Sequence, residues 1–198
     1  ERHGADIQAK LDKACVGIAG LGGLGSNLAI FLARLGVGHL ILVDFDVVDI
    51  TNLNRKHYTM KDLGVPKTLA LVEQLEAINP YLTYETYTER VVPANVERLF
   101  SDCDVIVEAF DKPDQKAMLI ENVLTKLPEK PLVSGSGMAG YGSANLIRTQ
   151  KRFGHLYLCG DGTSDVADGL GLMAPRVAVC SAHEGTMVLR LLIGETEP

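Results

Sequence analysis

The sequence predicts an α/β fold: a doubly wound, mostly parallel sheet with an antiparallel C-terminal strand pair and a closing helix. Three observations predict it. Short apolar runs recur without alternation, as strands covered on both faces require. They alternate with helix-period segments up to about residue 136, the order that builds parallel sheets. And the first run passes into a helix through a glycine-rich turn, Gly20-Leu21-Gly22-Gly23-Leu24-Gly25.

Each element has its own warrant. Residues 5–13 place Ile7 and Leu11 one helical turn apart and read as a short amphipathic helix. Residues 15–19 form the first strand, and the helix after the glycines runs from about Ser26 to Leu35, stopped by Gly36 and Gly38. Residues 39–43 are a second buried strand. Residues 44–67 are polar and irregular, and loops of that length in a compact domain are usually functional. Pro66 opens the next helix as its first residue, with Leu69, Val72, Leu75 and Ile78 facing inward, and Asn79-Pro80 ends it. The Thr- and Tyr-rich segment 83–89 reads as a half-exposed edge strand.

A short helix at 93–100 leads to a buried strand at 104–109, and Asp111-Lys112-Pro113 starts a helix reaching about Leu127. Residues 131–135 are a further strand. Residues 144–149 and 155–159 read as an antiparallel pair, and 160–171 as a mobile, acidic, glycine-rich loop. Pro175 opens the closing helix, which ends near Ile193. With no internal repeat or linker, 1–198 reads as a single domain. In such a sheet ligand sits at the carboxyl ends of the strands, where strand order switches. The glycine loop, Asp44 and Asp111 all fall at such ends and are expected to share one crevice.

Composition narrows the function. The 198 residues are 46% hydrophobic, enough for a sizeable core, and the net charge of −6 argues against a nucleic-acid partner. Cys15, Cys103, Cys159 and Cys180 lie far apart without a C-x-x-C pair, so no structural zinc is expected. The histidines lack ligand spacing. No secretory segment or membrane-length apolar run is present, and free thiols fit a reducing cytoplasm.

The chemistry starts from the glycine turn. A strand, then G-x-G-x-x-G, then a helix lets phosphates approach bare backbone at a helix N-terminus. Asp44, about 20 residues on, stands where a ribose hydroxyl needs an acceptor. An NAD-dependent dehydrogenase is one reading of this pattern, and a non-catalytic nucleotide-binding module another. Against the dehydrogenase stand the little sequence left for a substrate domain and the dense charged and amide groups after Asp44.

Those groups are Asp44-Phe45-Asp46, Asn52-Leu53-Asn54-Arg55, Lys67 at the next helix start, and Asp111 after the fourth strand. With the Gly20-to-Ser26 turn they match, in order, the pattern of the ThiF/MoeB/HesA family, relatives of the ubiquitin-activating enzymes, which the chain resembles from its first helix to its last. The resemblance implies a Rossmann-like fold and ATP-dependent adenylation of the C-terminal glycine carboxylate of a small ubiquitin-like sulfur-carrier protein. It implies that Gly20, Gly22, Gly23 and Gly25 cradle phosphates, that Asp44, Asp46 and Asn52 complete the nucleotide pocket, and that Arg55 and Lys67 neutralise the phosphates. Asp111 would hold Mg²⁺. It also implies a homodimer in which an N-terminal arginine reaches the partner's site; Arg2 stands where that residue would, with a disordered tail as the alternative.

The departures from the pattern carry expectations too. Many relatives hold zinc on two C-x-x-C pairs, whereas the segment 156–160 has only Cys159, which points to a short, zinc-free branch associated with thiamine biosynthesis. Some relatives load the activated carrier on a cysteine. Cys159 is the candidate here, with a buried inert thiol as the alternative. A relative that adenylates a modified base on tRNA is a further reading, disfavoured by the acidic charge.

Overall fold

The computed structural model describes residues 3–198, with Asn52 described by its backbone alone. Arg2 lies outside the described residues. The elements are α1 (Ala5–Leu11), β1 (Cys15–Ala19), α2 (Gly23–Leu35), β2 (His39–Val43), α3 (Lys67–Ile78), β3 (Thr83–Tyr87), α4 (Val96–Phe100), β4 (Val105–Glu108), α5 (Pro113–Lys126), β5 (Leu132–Gly135), β6 (Arg148–Lys151), β7 (Leu156–Gly160) and α6 (Ala174–Ile193). Seven strands form one sheet in the order β3-β2-β1-β4-β5-β7-β6. All pairs are parallel except β6 with β7. The predicted fold class holds.

The strands predicted from continuous apolar runs are buried on both faces, as β1 and β4 show along their whole length. On one side Leu28 of α2, Leu71 of α3 and Val188 of α6 pack over the sheet with Leu11 of α1. On the other, Leu99 of α4 and Leu119 and Val123 of α5 close a second cluster. Among the described residues no helix is long and apolar enough to cross a membrane.

Several boundaries differ from the sequence reading, each for a local reason. The helix after the glycines opens at Gly23 rather than Ser26, so Gly23 and Gly25 are helical residues. Lys67 begins α3 and Pro66 caps it from outside. Leu69 is exposed and Leu71 takes the inward position, one turn before Leu75. Residues 144–146 form a 3₁₀ turn, with the Ser143 hydroxyl oxygen accepting from the Asn145 amide at 3.3 Å; the antiparallel pair therefore starts later, at Arg148. The short helix before β4 starts at Val96, because the Asn95 side chain accepts from the Val92 amide and holds the preceding residues in a turn.

The loop expected to be mobile is anchored at its base. The Arg176 guanidinium of α6 donates to the Asp161 carboxylate at 2.5 Å, both side chains buried, and to the carbonyls of the exposed Gly142 and Ser143. Burial alone would raise the Asp161 carboxyl, but the Ser164 and Thr163 amides and Arg176 hold it below the usual carboxylate range.

Strand order switches at β1. The chain winds outward through β2 and β3, then returns to place β4 on the other flank of β1. The backbone ends of these strands are stitched together: the Gly20 amide donates to the Val43 carbonyl, and the Ala109 amide to the Ala19 carbonyl. A crevice opens above this switch, at the strands' carboxyl ends.

Candidate active site

The glycine turn forms the near wall of the crevice. Gly20 adopts a left-handed backbone (φ 93°), and a Cβ there would meet the Ala109 carbonyl oxygen at 2.8 Å. The strand thus reverses tightly beside β4 and delivers the N-terminus of α2 to the crevice. Gly20, Gly22 and Gly23 line it. Gly25 does not: it faces inward, and a Cβ would fall 1.9 Å from the Gly20 carbonyl oxygen. Only a bare α-carbon lets the helix sit this close to the turn. The half-buried helix N-terminus offers amides that the helix itself leaves unpaired and a partial positive charge, which suit an anion.

Asp44 directly follows β2 and is buried at 8% exposure. One carboxylate oxygen accepts from the Leu21 amide at 2.7 Å, the other from the Asp46 amide at 2.8 Å. The carboxylate is thereby fixed against the glycine turn, and its remaining lone pairs can accept further hydroxyls. Tyr58 braces the same turn, donating to the Leu21 carbonyl at 2.7 Å. Burial, with Asp44 and Asp62 nearby, pushes its phenol up, so it stays a neutral donor.

The loop 44–67 supplies the cations. Lys67 is 4% exposed, and its ammonium lies 2.8 Å from Asp46 and 3.9 Å from Asp44. One of its donors is thus hydrogen-bonded to Asp46, and Asp44 adds a longer ionic contact. Arg55 lays its stem against Gly23, while its guanidinium donates to the Asn54 side-chain oxygen at 2.8 Å and to the Thr51 carbonyl at 3.3 Å. The Asn27 side chain of α2 donates to the Arg55 carbonyl and ties this loop to the helix. Asn52 lies in the 3₁₀ turn Ile50–Asn52 that leads to Arg55. Asp111, exposed in the loop between β4 and α5, stands on the far rim.

The crevice, of about 560 Å³, therefore brings together Gly20, Gly22, Gly23, Asp44, Asp46, Arg55, Lys67 and Asp111. It also holds residues that sequence reasoning passed over. Lys56 is half-buried beside the glycine turn. Lys116 of α5 pairs with the fully buried Glu108 at the end of β4 and donates to the Gly135 carbonyl at 2.8 Å. Ser134 completes this group, donating to Glu108 at 2.5 Å. The Arg90 guanidinium stacks 3.9 Å over the Phe45 ring at the rim. A lysine one turn into a helix or a glutamate ending a strand carries no sequence signal of its own; only the sheet brings them under the crevice floor.

Cys159 is buried at the end of β7, and burial, with Glu184 nearby, pushes its thiol up to about 12. A thiol of that kind is protonated at neutral pH and out of reach of a carrier. Cys15, Cys103 and Cys180 are buried as well.

One crevice, lined by a glycine turn at a helix N-terminus, by the carboxylates Asp44 and Asp111 and by several cations, is suited to a nucleoside triphosphate. Comparison with known proteins agrees. The ThiF family profile matches residues 1–198. The chain is 34% identical, over 202 residues, to the adenylyltransferase and sulfurtransferase UBA4 of Eremothecium gossypii, covering 98% of this chain and 45% of that protein. It is 30% identical over 198 residues to the adenylyltransferase and sulfurtransferase MOCS3 of Anopheles gambiae, covering 96% of this chain and 44% of that protein. The chain thus spans less than half the length of these relatives. In fold it matches the ATP complex of the E. coli tRNA N6-threonylcarbamoyladenosine dehydratase, with a TM-score of 0.87 and 23% identity, covering 97% of this chain and 90% of the other. On the profile match and on these identities, the chain belongs to the ThiF family.

Proposed function

We propose that the chain is an adenylyltransferase domain over 1–198 that uses ATP to activate the C-terminal glycine carboxylate of a small ubiquitin-like sulfur-carrier protein. The observation that supports it best is the single crevice gathering Asp44, Asp46, Arg55, Lys67 and Asp111 around the glycine turn. The family match and the adenylyltransferase names of its relatives support the same chemistry.

The substrate carboxylate is ionised at neutral pH, so no general base is needed. One carboxylate oxygen forms a bond to the α-phosphorus while the bond to the bridging oxygen breaks, and pyrophosphate leaves with that electron pair. The barrier lies in bringing two anions together and in stabilising the leaving charge, which calls for donors fixed beforehand. The amides of the glycine turn and the N-terminus of α2 would hold phosphate oxygens, with Arg55 and Lys67 neutralising them. Asp44 would accept from the ribose, and Asp46 and Asn52 would border the nucleotide.

Mg²⁺ suits such a site through one or two carboxylates, with the remaining ligands coming from phosphates and water. Asp111, exposed on the crevice rim, fits that part. When bound, the ion would offset phosphate charge.

The names of the relatives lead away from thiamine biosynthesis, expected from the missing zinc cysteines, so the proposal stops at a sulfur carrier as a class. A symmetric homodimer with Arg2 acting in trans belongs to the same proposal. The second reading, activation of a modified tRNA base, draws on the length-matched structural neighbour. The net charge of −6 weighs against it.

The test is intact-mass analysis after incubation with ATP, Mg²⁺ and a carrier ending in Gly-Gly. A carrier heavier by one adenylyl group, absent when the terminal glycine is removed, is the expected result. An unmodified carrier alongside consumption of ATP driven by tRNA would replace this reading with the second.

A further inference from the structure

The cations of the crevice differ in how their charge is already used. Lys67 faces Asp44 and Asp46, Lys116 faces Glu108, and Arg55 donates to Asn54 and Thr51. Lys56 has no hydrogen bond or ion pair among the described residues, although it is half-buried and lines the crevice. Its Cε lies 3.7 Å from where a Cβ on Gly22 would stand, so the chain runs along the phosphate side of the turn. The charged groups facing it are Lys67 of α3, Arg55 of its own loop, Asp44 at the end of β2, Asp111 after β4, and Asp49.

An ammonium half out of water, with no hydrogen bond and with the repulsion of Lys67 and Arg55 outweighing the pull of Asp111 and Asp44, is costly to keep. The arrangement makes physical sense if a polyanion completes it. We infer that Lys56 is a phosphate-binding residue of this crevice, its ammonium closing on the nucleotide's phosphate chain from the glycine-turn side.

This rests on the nucleotide reading above and adds a property that reading does not contain. Burial, then the repulsion of Lys67 and Arg55, pulls the Lys56 ammonium down to about 8. A bound phosphate chain would restore the charged form. Near pH 8, then, a lysine protonated in only part of the free molecules becomes protonated in the complex, and ATP binding takes up protons.

Calorimetric titration of the full chain with ATP at about pH 8, in two buffers of different ionisation heat, measures this directly. The expected uptake is about half a proton per ATP, since a group at its own pKa is half protonated. Lys56→Arg should bind ATP with near-normal affinity and without that uptake, because a guanidinium stays charged. Lys56→Gln should weaken ATP binding about tenfold or more, the scale of a charge-assisted hydrogen bond. Unchanged affinity in Lys56→Gln, or equal proton uptake in the wild type and Lys56→Arg, overturns the inference while leaving the nucleotide reading intact. A folded wild type that binds no ATP overturns both.

Discussion

Glu184, in the middle of α6, is fully buried, and neither of its carboxylate oxygens has a hydrogen-bond partner among the described residues. It packs against Gly135, in reach of the charges of Lys116 and Glu108. Burial raises its carboxyl to about 8, against the opposing pull of Lys116. The folded chain therefore keeps a proton that the unfolded chain releases near the ordinary carboxyl value. Between those two values the folded state binds more protons, so stability falls as pH rises through that window and levels off above about 8. Urea midpoints at about pH 5 and about pH 8.5 should show this fall in the wild type and a flatter profile in Glu184→Gln. Equal slopes in the two proteins would show that Glu184 is ionised throughout. Lys56 and Glu184 illustrate what the sequence conceals at this scale. A lysine after an arginine in a polar loop, or a glutamate in an amphipathic helix, reads as a solvated charge. Their burial is decided by which elements pack beside them.

At the scale of the element, the glycine turn divides its residues between two tasks. Gly20 reverses the chain and Gly25 lets α2 approach it, while Gly22 faces the crevice with nothing nearer than Lys56 to a Cβ. Gly25→Ala should cost about 1–3 kcal/mol of stability, because its methyl group must displace backbone. Gly22→Ala should be close to neutral in urea unfolding. Similar losses from both substitutions would contradict this division. The turn was legible in the sequence because its glycines have a fixed spacing between an apolar strand and a helix. The helix start was not, since glycine is a poor helix former and nothing local marks Gly23 as helical. The strands β1, β2, β4 and β5 were legible for the opposite reason: burial on both faces writes an unbroken apolar run. The start of the hairpin was not legible, because the Ser143 cap that turns residues 144–146 into a 3₁₀ turn abuts the strand with no glycine or proline between them.

For the molecule as a whole, parallel winding around β1 turns residues far apart in sequence into one site. Asp44 follows β2, Lys67 opens α3 and Asp111 follows β4, yet all three border the same crevice. The carboxyl-end rule and the ordered motif were enough to foresee that convergence. They could not foresee the floor beneath it, where Lys116, Glu108 and Ser134 meet across α5, β4 and β5. On the function proposed above, this crevice activates a carboxylate at the expense of ATP. Exchange of labelled pyrophosphate into ATP, in the presence of a Gly-Gly carrier, tests it most directly. Carrier-dependent exchange is expected in the wild type. In Arg55→Ala and in Asp111→Ala it should fall about 10²-fold or more, the scale of losing one preorganised charge-stabilising group. Exchange that needs no carrier, or that proceeds at full rate in both variants, would rule this chemistry out.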